Sequence, residues 1–579
     1  MNRTLASTLC YEDPEVVAGG DRPSDFRSYV ERILDRCSST PDAIMLSDPD
    51  RDISAKQFGA LVLRLAQTLA ARGLDRGDRI AILADISAEA LALRYAAHLI
   101  GCATVYCPNT GSVSRLSGFI AKIAPSVLVV FPRTATAACL AAAENLVPVV
   151  YSIGPVSGAD VDLLALSTTP SQAAVPARVG PQDLAVLIAS GGTTGESKAS
   201  RRSFGAYARA VAGPPAADHK LLICTPFAYI AQVLTDQTLL GGGRVILRDG
   251  FDPAAVLQTI EAERITHLCL VEPLLVELID HPDLLVRDHS SLVALSHIGA
   301  TAPASLRRRL LERIGPVLVH PYGASEAGLI SVLASPEYDL SRPGHLATTG
   351  RVLPGVDLRV VGPDGTYAKP GVEGAIVVRT PGLADGYWGR RSQPAFSNGW
   401  YCTGDLGRLD AQGYLQVRGR LADARHLNGR TVMPVDIEDA VCSHPDVRYA
   451  VALPLDLHGA DAFAMMVVCA PGTQVSVDDL RGYIARQSPD LVPATLLIVD
   501  KIPITEQGKP DRSSIGTVLK NAARDAGAML VGRGSGWRAR SRDRRGPSAP
   551  RPARLLSGHR SSVLAVGVIQ EAQCVSLCS

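Results

Sequence analysis

Apolar residues recur at every third or fourth position through FGALVLRLAQTLAARGL, residues 58–74. A short unbroken run, RIAIL, follows, then a second helix-spaced stretch, ALALRYAAHLIGC, and another run, SVLVVF. Helical spacing marks one buried stripe, and short runs without polar residues mark strands covered on both faces. Their alternation between about residues 42 and 150 predicts α/β layers around a mostly parallel sheet. A stretch rich in Ser, Thr, Pro and Gly at 155–180 reads as a surface connection. The rhythm then resumes through DLAVLIAS, KLLIC, GRVIL and HLCLV to VLVH near residue 320.

After Pro343 the texture changes. LRVV, GAIVVR and YLQVRGR are strand-like runs punctuated by turn signals, which predicts a small β-rich subdomain over about 345–418. Beyond Gly419 comes a compact α/β segment, with helices in PVDIEDAVCSHP and VDDLRGYIARQ and strands in YAVALP and AFAMMVVCA. The division read from these patterns is a large domain over 1–418, a small one over 419–522, and a tail over 523–579. The tail's Arg-, Gly- and Pro-rich run is too poor in apolar residues to order itself, and no helical pattern is legible after residue 520.

Composition narrows the function classes. A chain of 579 residues exceeds a single core, and its 46% hydrophobic and 20% charged residues suit a soluble globular protein. The net charge of +1 gives the whole molecule no bias toward nucleic acid, and no apolar stretch is long enough to span a bilayer. Twelve scattered cysteines without a CxxC pair read as thiols in a reducing compartment, so a cytoplasmic enzyme is the expectation. An RNA- or anion-binding tail is the alternative for the last segment, and nothing in the pattern specifies an oligomeric state.

The run Ser190-Gly191-Gly192-Thr193-Thr194-Gly195-Glu196-Ser197-Lys198 directly follows a predicted strand. Glycines let backbone N–H groups converge on phosphate oxygens, while threonine hydroxyls and a lysine add donors and charge. Its spacing is not that of a Walker A loop. Further along come Tyr322-Gly323-Ala324-Ser325-Glu326, Thr403-Gly404-Asp405, Gly419-Arg420 and Pro503-x-Thr505-x-x-Gly508-Lys509-x-x-Arg512. A carboxylate such as Glu326 suits Mg²⁺, and one such as Asp405 accepts paired hydroxyls well.

These five motifs, in this order over roughly 40–520, resemble the adenylate-forming superfamily of acyl-CoA synthetases, aryl-acid ligases, peptide-synthetase adenylation domains and luciferases. The phosphate loop departs from the family pattern at Ser197 and Ala199. The resemblance implies that Ser190–Gly195 and Lys198 hold ATP phosphates, with Thr194 also serving catalysis. It places Tyr322 on adenine beside Gly323 and Ser325, Glu326 on Mg²⁺, and Asp405 on the ribose, with Arg420 also at the nucleotide. Lys509 stands at the catalytic lysine position, on a small domain that rotates between two half-reactions. In the hinge run, Ala422 occupies the place of the usual aspartate and His426 that of a lysine. Thiol transfer is therefore expected to be the slower or less typical half.

The same resemblance puts the acyl pocket between Pro226–Ala231, Gly299–Pro303 and Gly323, with Tyr229, Gly299 and Ala300 as lining residues. The Pro226–Ala231 segment has no acid to hold an α-ammonium, which argues against an amino-acid substrate. The implied reaction joins a fatty, aryl or polyketide-like carboxylic acid to coenzyme A. An acyl carrier protein or an amine as acceptor, and a degenerate nucleotide-binding protein without activity, are the alternatives left open.

Overall fold

The computed structural model describes residues 26–534 except 109–111, 169–178, 191–197, 214–215, 300, 342, 390–394 and 458–459. Ser54 and Gln57 form a reciprocal cap that starts helix Ala55–Ala71, whose stripe of Phe58, Val62, Leu65 and Leu69 is fully buried. The RIAIL run is strand Arg79–Leu83, and its last four residues are all buried. Burial on both faces is the reason it lacks polar alternation.

Among the described residues the α/β layers contain two large sheets. The seven-stranded sheet has Arg79–Leu83 near its centre, flanked by Ala103–Tyr106 and Val127–Val130 in parallel. Its edge is an antiparallel pair, Leu184–Ser190 with Lys198–Ser203. The nine-stranded sheet carries Lys220–Ile223, His267–Val271, Ala294–Ile298 and Leu318–Ala324 as parallel neighbours. Helices Ala88–Leu99 and Tyr229–Gly241 contribute to one core shared with strands of both sheets.

That core contains an ion pair. Arg94 and Asp236, one on each helix, are fully buried and meet in a two-pronged contact of 2.9 and 3.0 Å. Tyr95 and Tyr207 donate their hydroxyls to the same carboxylate. Such a charge pair is tolerable because every carboxylate oxygen has a donor.

The β-rich subdomain is a five-stranded sheet beginning at Asp357–Val361 and ending at Leu415–Arg420. It starts later than the sequence pattern implied, because Arg351–Val352 extends the nine-stranded sheet. The small α/β unit follows, with helix Pro434–Cys442 and a hairpin of strands Val447–Leu457 and Ala460–Cys469. One correction concerns its end: helix Arg512–Gly534 runs through residues read as lacking helical pattern. Among its described side chains, residues 512–524, Ile515 and Leu519 are the buried ones, one turn apart, which is too short a stripe to show as periodicity. Residues 535–579 lie outside the described region.

The small unit is docked on the large one. Leu274 and Leu275 share a hydrophobic cluster with Tyr449, Val451, Met466 and Ile515. Arg448 meets Asp280 at 2.7 Å, the Ser305 N–H donates to Asp439 at 2.7 Å, and Arg309 donates to the carbonyls of Val447 and Arg448. No helix among the described residues is long and apolar enough to cross a membrane.

Arg94→Leu leaves a buried carboxylate with hydroxyl donors alone, so it should destabilise the large domain by about 3–5 kcal/mol. Urea denaturation of the variant beside the parent chain measures this.

Candidate active site

In parallel sheets, ligands gather beyond the carboxyl ends of the strands. His267–Val271 and Ala294–Ile298 end beside each other here, and Leu318–Ala324 follows. The backbone passes Gly299 at φ +89°, a left-handed conformation that an L side chain adopts only under strain. A methyl group built there would lie 2.8 Å from Cε of Lys509 and 3.6 Å from Val271. The small domain therefore inserts Lys509 where the large domain has removed a side chain.

Lys509 is presented by a tight turn. The Gly508 N–H donates to the Thr505 carbonyl at 2.9 Å, and the Thr505 N–H donates to the Lys509 carbonyl at 2.7 Å. Gly508 itself has φ +78° and lies so close to Leu274 that an added methyl would sit 2.8 Å from its side chain. Lys509 stands in a cleft walled by both domains yet open to solvent. Burial in the walls, and next the Arg420 charge, lower its proton affinity, while Cys269 acts in the opposite sense.

A second group of predicted residues also assembles. Tyr322 donates its hydroxyl to Asp405 at 2.6 Å, and Arg420 lies 3.3 Å from the other oxygen of that carboxylate. The Arg420 guanidinium also donates to the Thr403 carbonyl at 2.7 Å. Burial raises the Asp405 carboxyl above its ordinary value, with Arg420 and Tyr322 opposing the shift. Residues from three segments, 322, 403–405 and 420, thus converge on one carboxylate that offers itself to hydroxyl donors.

Glu326 lies in a third group and is buried. Tyr387 donates its hydroxyl to Glu326 Oε1 at 2.9 Å, and Lys198 Nζ stands 5.1 Å from the centre of the same ring. Ser190 ends one strand and Lys198 opens the next, and the two are paired across the hairpin base. Gly191, Gly192, Thr193, Thr194 and Gly195 lie outside the described residues, as does Ala300. The buried carboxylate of Glu326 suits a Mg²⁺ ion, which takes hard oxygen ligands from one or two carboxylates together with phosphates. Glu326 would supply one carboxylate and phosphate oxygens the rest.

Tyr229, at the start of helix Tyr229–Gly241, is buried, with its hydroxyl unpartnered among the described residues and its ring 4.3 Å from the Arg202 guanidinium. Arg202 also donates to the Ser325 and Gly382 carbonyls, which fixes Ser325 from behind. Gly323 has no room for a side chain, since a methyl there would lie 2.3 Å from the Gly328 carbonyl. Arg202, Tyr387 and Cys269 were not singled out from the sequence. Their roles arise from partners between 27 and 240 residues away, and no local string advertises them.

At the hinge, Ala422 and His426 are both exposed. Asp423, between them, pairs with Arg512 at 2.5 Å and so joins the hinge to the end of the lysine-bearing turn.

Residues 33–388 match the family model for AMP-binding enzymes, and residues 436–509 match that for the AMP-binding enzyme C-terminal domain. The chain is 31% identical to indoleacetate–CoA ligase of Aromatoleum aromaticum over 498 residues, covering 82% of this chain and 95% of the ligase. It is 29% identical to feruloyl-CoA synthase of an Amycolatopsis species, over 82% of this chain and 95% of the synthase. Among solved structures, amide bond synthetase McbA from Marinactinospora thermotolerans superposes with a TM-score of 0.75 at 31% identity, covering 85% of this chain and 99% of the synthetase. Family match, fold and converging motif residues together make the chain a member of the AMP-binding enzyme family, with its C-terminal domain, and an adenylate-forming enzyme.

Proposed function

We propose that the chain condenses a carboxylic acid with ATP to an acyl adenylate and then transfers the acyl group to coenzyme A. Insertion of Lys509 at Gly299, beside the strand ends, carries the reading. In the first step a carboxylate oxygen attacks the α-phosphorus, the bond to the bridging oxygen breaks, and pyrophosphate leaves. The ammonium of Lys509 holds the attacking carboxylate against the α-phosphate oxygens, where negative charge gathers in the transition state. Asp405, fixed by Tyr322 and Arg420, takes the ribose hydroxyls. Ser190–Gly195 and Lys198 grip the phosphates, and Tyr322 and Gly323 flank the base. Mg²⁺ held at Glu326 would neutralise phosphate charge.

In the second step a thiolate attacks the acyl carbonyl, the carbon–sulfur bond forms and AMP leaves. Similarity to CoA ligases over most of their length supports this acceptor. A second reading, transfer to an amine or to a carrier-protein thiol, is favoured by Ala422 and His426 at the hinge and by the likeness to an amide bond synthetase. An α-amino acid substrate is disfavoured, because Arg202 puts positive charge beside Tyr229 where an ammonium would have to sit.

Pyrophosphate release across aryl and fatty acids, with and without CoA and with products identified by mass, tests the reading. Acid-dependent release and an acyl-CoA product are expected, with a loss of at least a hundredfold in Lys509→Ala. Acyl-AMP without acyl-CoA moves the assignment to another acceptor. The pH profile offers a separate check, since a lysine of lowered proton affinity loses its charge as pH rises. Adenylation should fall along an alkaline limb below the ordinary lysine range, about 10.4. Lys509→Arg, whatever its rate, should lack that limb.

A further inference from the structure

Strand Lys198–Ser203 opens with the lysine proposed for the ATP phosphates and buries four of its next five side chains. One of the four is Arg202, which has no exposed surface. A guanidinium so placed is costly unless its donors find acceptors. Its partners among the described residues are all uncharged. Nε donates to the Gly382 carbonyl at 2.9 Å, Nη2 to the Ser325 carbonyl at 2.5 Å and Nη1 to the Ser200 hydroxyl at 3.4 Å. The centre of the Tyr229 ring lies 4.3 Å from its central carbon. With no carboxylate to answer the charge, what Arg202 supplies is a planar fork of donors at fixed angles.

The two carbonyls in that fork belong to the two segments that hold Glu326. Ser325 immediately precedes it. Gly382 begins the stretch in which the Ala384 N–H donates to the Glu326 carbonyl at 2.8 Å and the Tyr387 hydroxyl to Glu326 Oε1 at 2.9 Å. That stretch is also pinned along strand Lys198–Ser203. The Arg201 N–H donates to the Gly386 carbonyl at 2.9 Å, and the Trp388 N–H to the Ala199 carbonyl at 2.8 Å. Ser200 brings a second donor to the Ser325 carbonyl, at 3.3 Å. One strand therefore carries Lys198 at its start and, four residues on, the group that joins both supports of the Glu326 carboxylate.

We propose that Arg202 is a positioning residue for the Glu326 carboxylate and sets the affinity of the chain for Mg²⁺-bound ATP through the backbone on either side of it. The proposal rests on the reading of Glu326 as the residue that holds Mg²⁺. This ion demands near-octahedral geometry at short metal–oxygen distances, so a carboxylate released from its supports binds it less well. Groups that orient a metal ligand from behind are typically worth about ten- to a hundredfold in metal affinity. Arg202 acts one step further back, through main-chain carbonyls, which places its expected effect near the lower end, about tenfold.

Calorimetric binding of Mg²⁺–ATP to the full chain reads this without catalysis, with AMP in EDTA as the metal-free control. Arg202→Met, similar in length and without donors, should weaken Mg²⁺–ATP binding about tenfold and leave AMP binding at the parent value. In pyrophosphate release it should raise the Mg²⁺ concentration at half-maximal rate by a similar factor, with the rate largely restored at saturating Mg²⁺. Arg202→Lys keeps the charge, loses the fork and should behave as the Met variant does. In a Glu326→Gln background Arg202→Met should cost nothing further, because the carboxylate it positions is gone.

Parent-like Mg²⁺–ATP binding in Arg202→Met, full rescue by lysine, or an equal loss with and without the Glu326 carboxylate would overturn the inference. If Arg202→Met also loses AMP binding, Arg202→Lys decides by the same comparison, and loss of AMP binding in both variants would overturn it too. Glu326→Gln separates the two readings. A weakened Mg²⁺–ATP complex there, beside a parent-like Arg202→Met, overturns the inference alone. Unchanged Mg²⁺–ATP binding in Glu326→Gln overturns the metal reading, and the inference with it.

Discussion

The active-site geometry depends on the entry of one lysine into a place vacated by a side chain. Lys509 belongs to the small domain, while Gly299 belongs to the large one and lies at the end of a central strand. A left-handed backbone at Gly299 and the absence of Cβ open the notch, and a second close-packed glycine, Gly508, lets the presenting turn approach. Ordinary residues at either position would displace the ammonium or strain the backbone by roughly 1–2 kcal/mol. The interdomain contacts at Asp280, Ser305 and Arg309 hold the arrangement in which this entry takes place.

Around the notch, rigid and accommodating parts are divided between opposite sides of the same elements. Helix Tyr229–Gly241 is joined to helix Ala88–Leu99 by a buried charge pair, while Leu234, Gln237 and Thr238 line a small pocket. Strand His267–Val271 likewise packs Leu268 and Leu270 into one core and turns Cys269 toward the cleft. Tyr322, Asp405 and Arg420, proposed above to face the nucleotide, sit apart from this, on the β-rich subdomain and its neighbouring strands. The three form their own set of a hydrogen bond and an ion pair.

The parts of the site legible in the sequence were those written as short strings whose residue types have one evident use. Tyr322, Glu326, Asp405, Arg420 and Lys509 were singled out that way, and the structure places them in three groups. The residues that hold them were not legible. Tyr387 reaches Glu326 across 61 positions, and Arg202 reaches Ser325 across 123, so neither contact leaves a local pattern. Layered α/β architecture was clear from alternating periods, but the division into two sheets was not, because strand runs carry no mark of which sheet they join. Helix Arg512–Gly534 escaped notice because tertiary packing of Ile515 and Leu519, more than a continuous apolar stripe, holds its first turns.

Single-turnover formation of acyl-AMP by Gly299→Ala, followed by rapid quench with an acid that the parent chain activates, is the most direct test. If Lys509 acts through the notch, adenylate formation should slow by roughly five- to thirtyfold while ATP affinity stays at the parent value. Acyl transfer from supplied acyl-AMP should continue, since that step does not need the lysine in place. An adenylation rate matching the parent chain would contradict the account, because the lysine would then be working from somewhere other than the place the structure gives it.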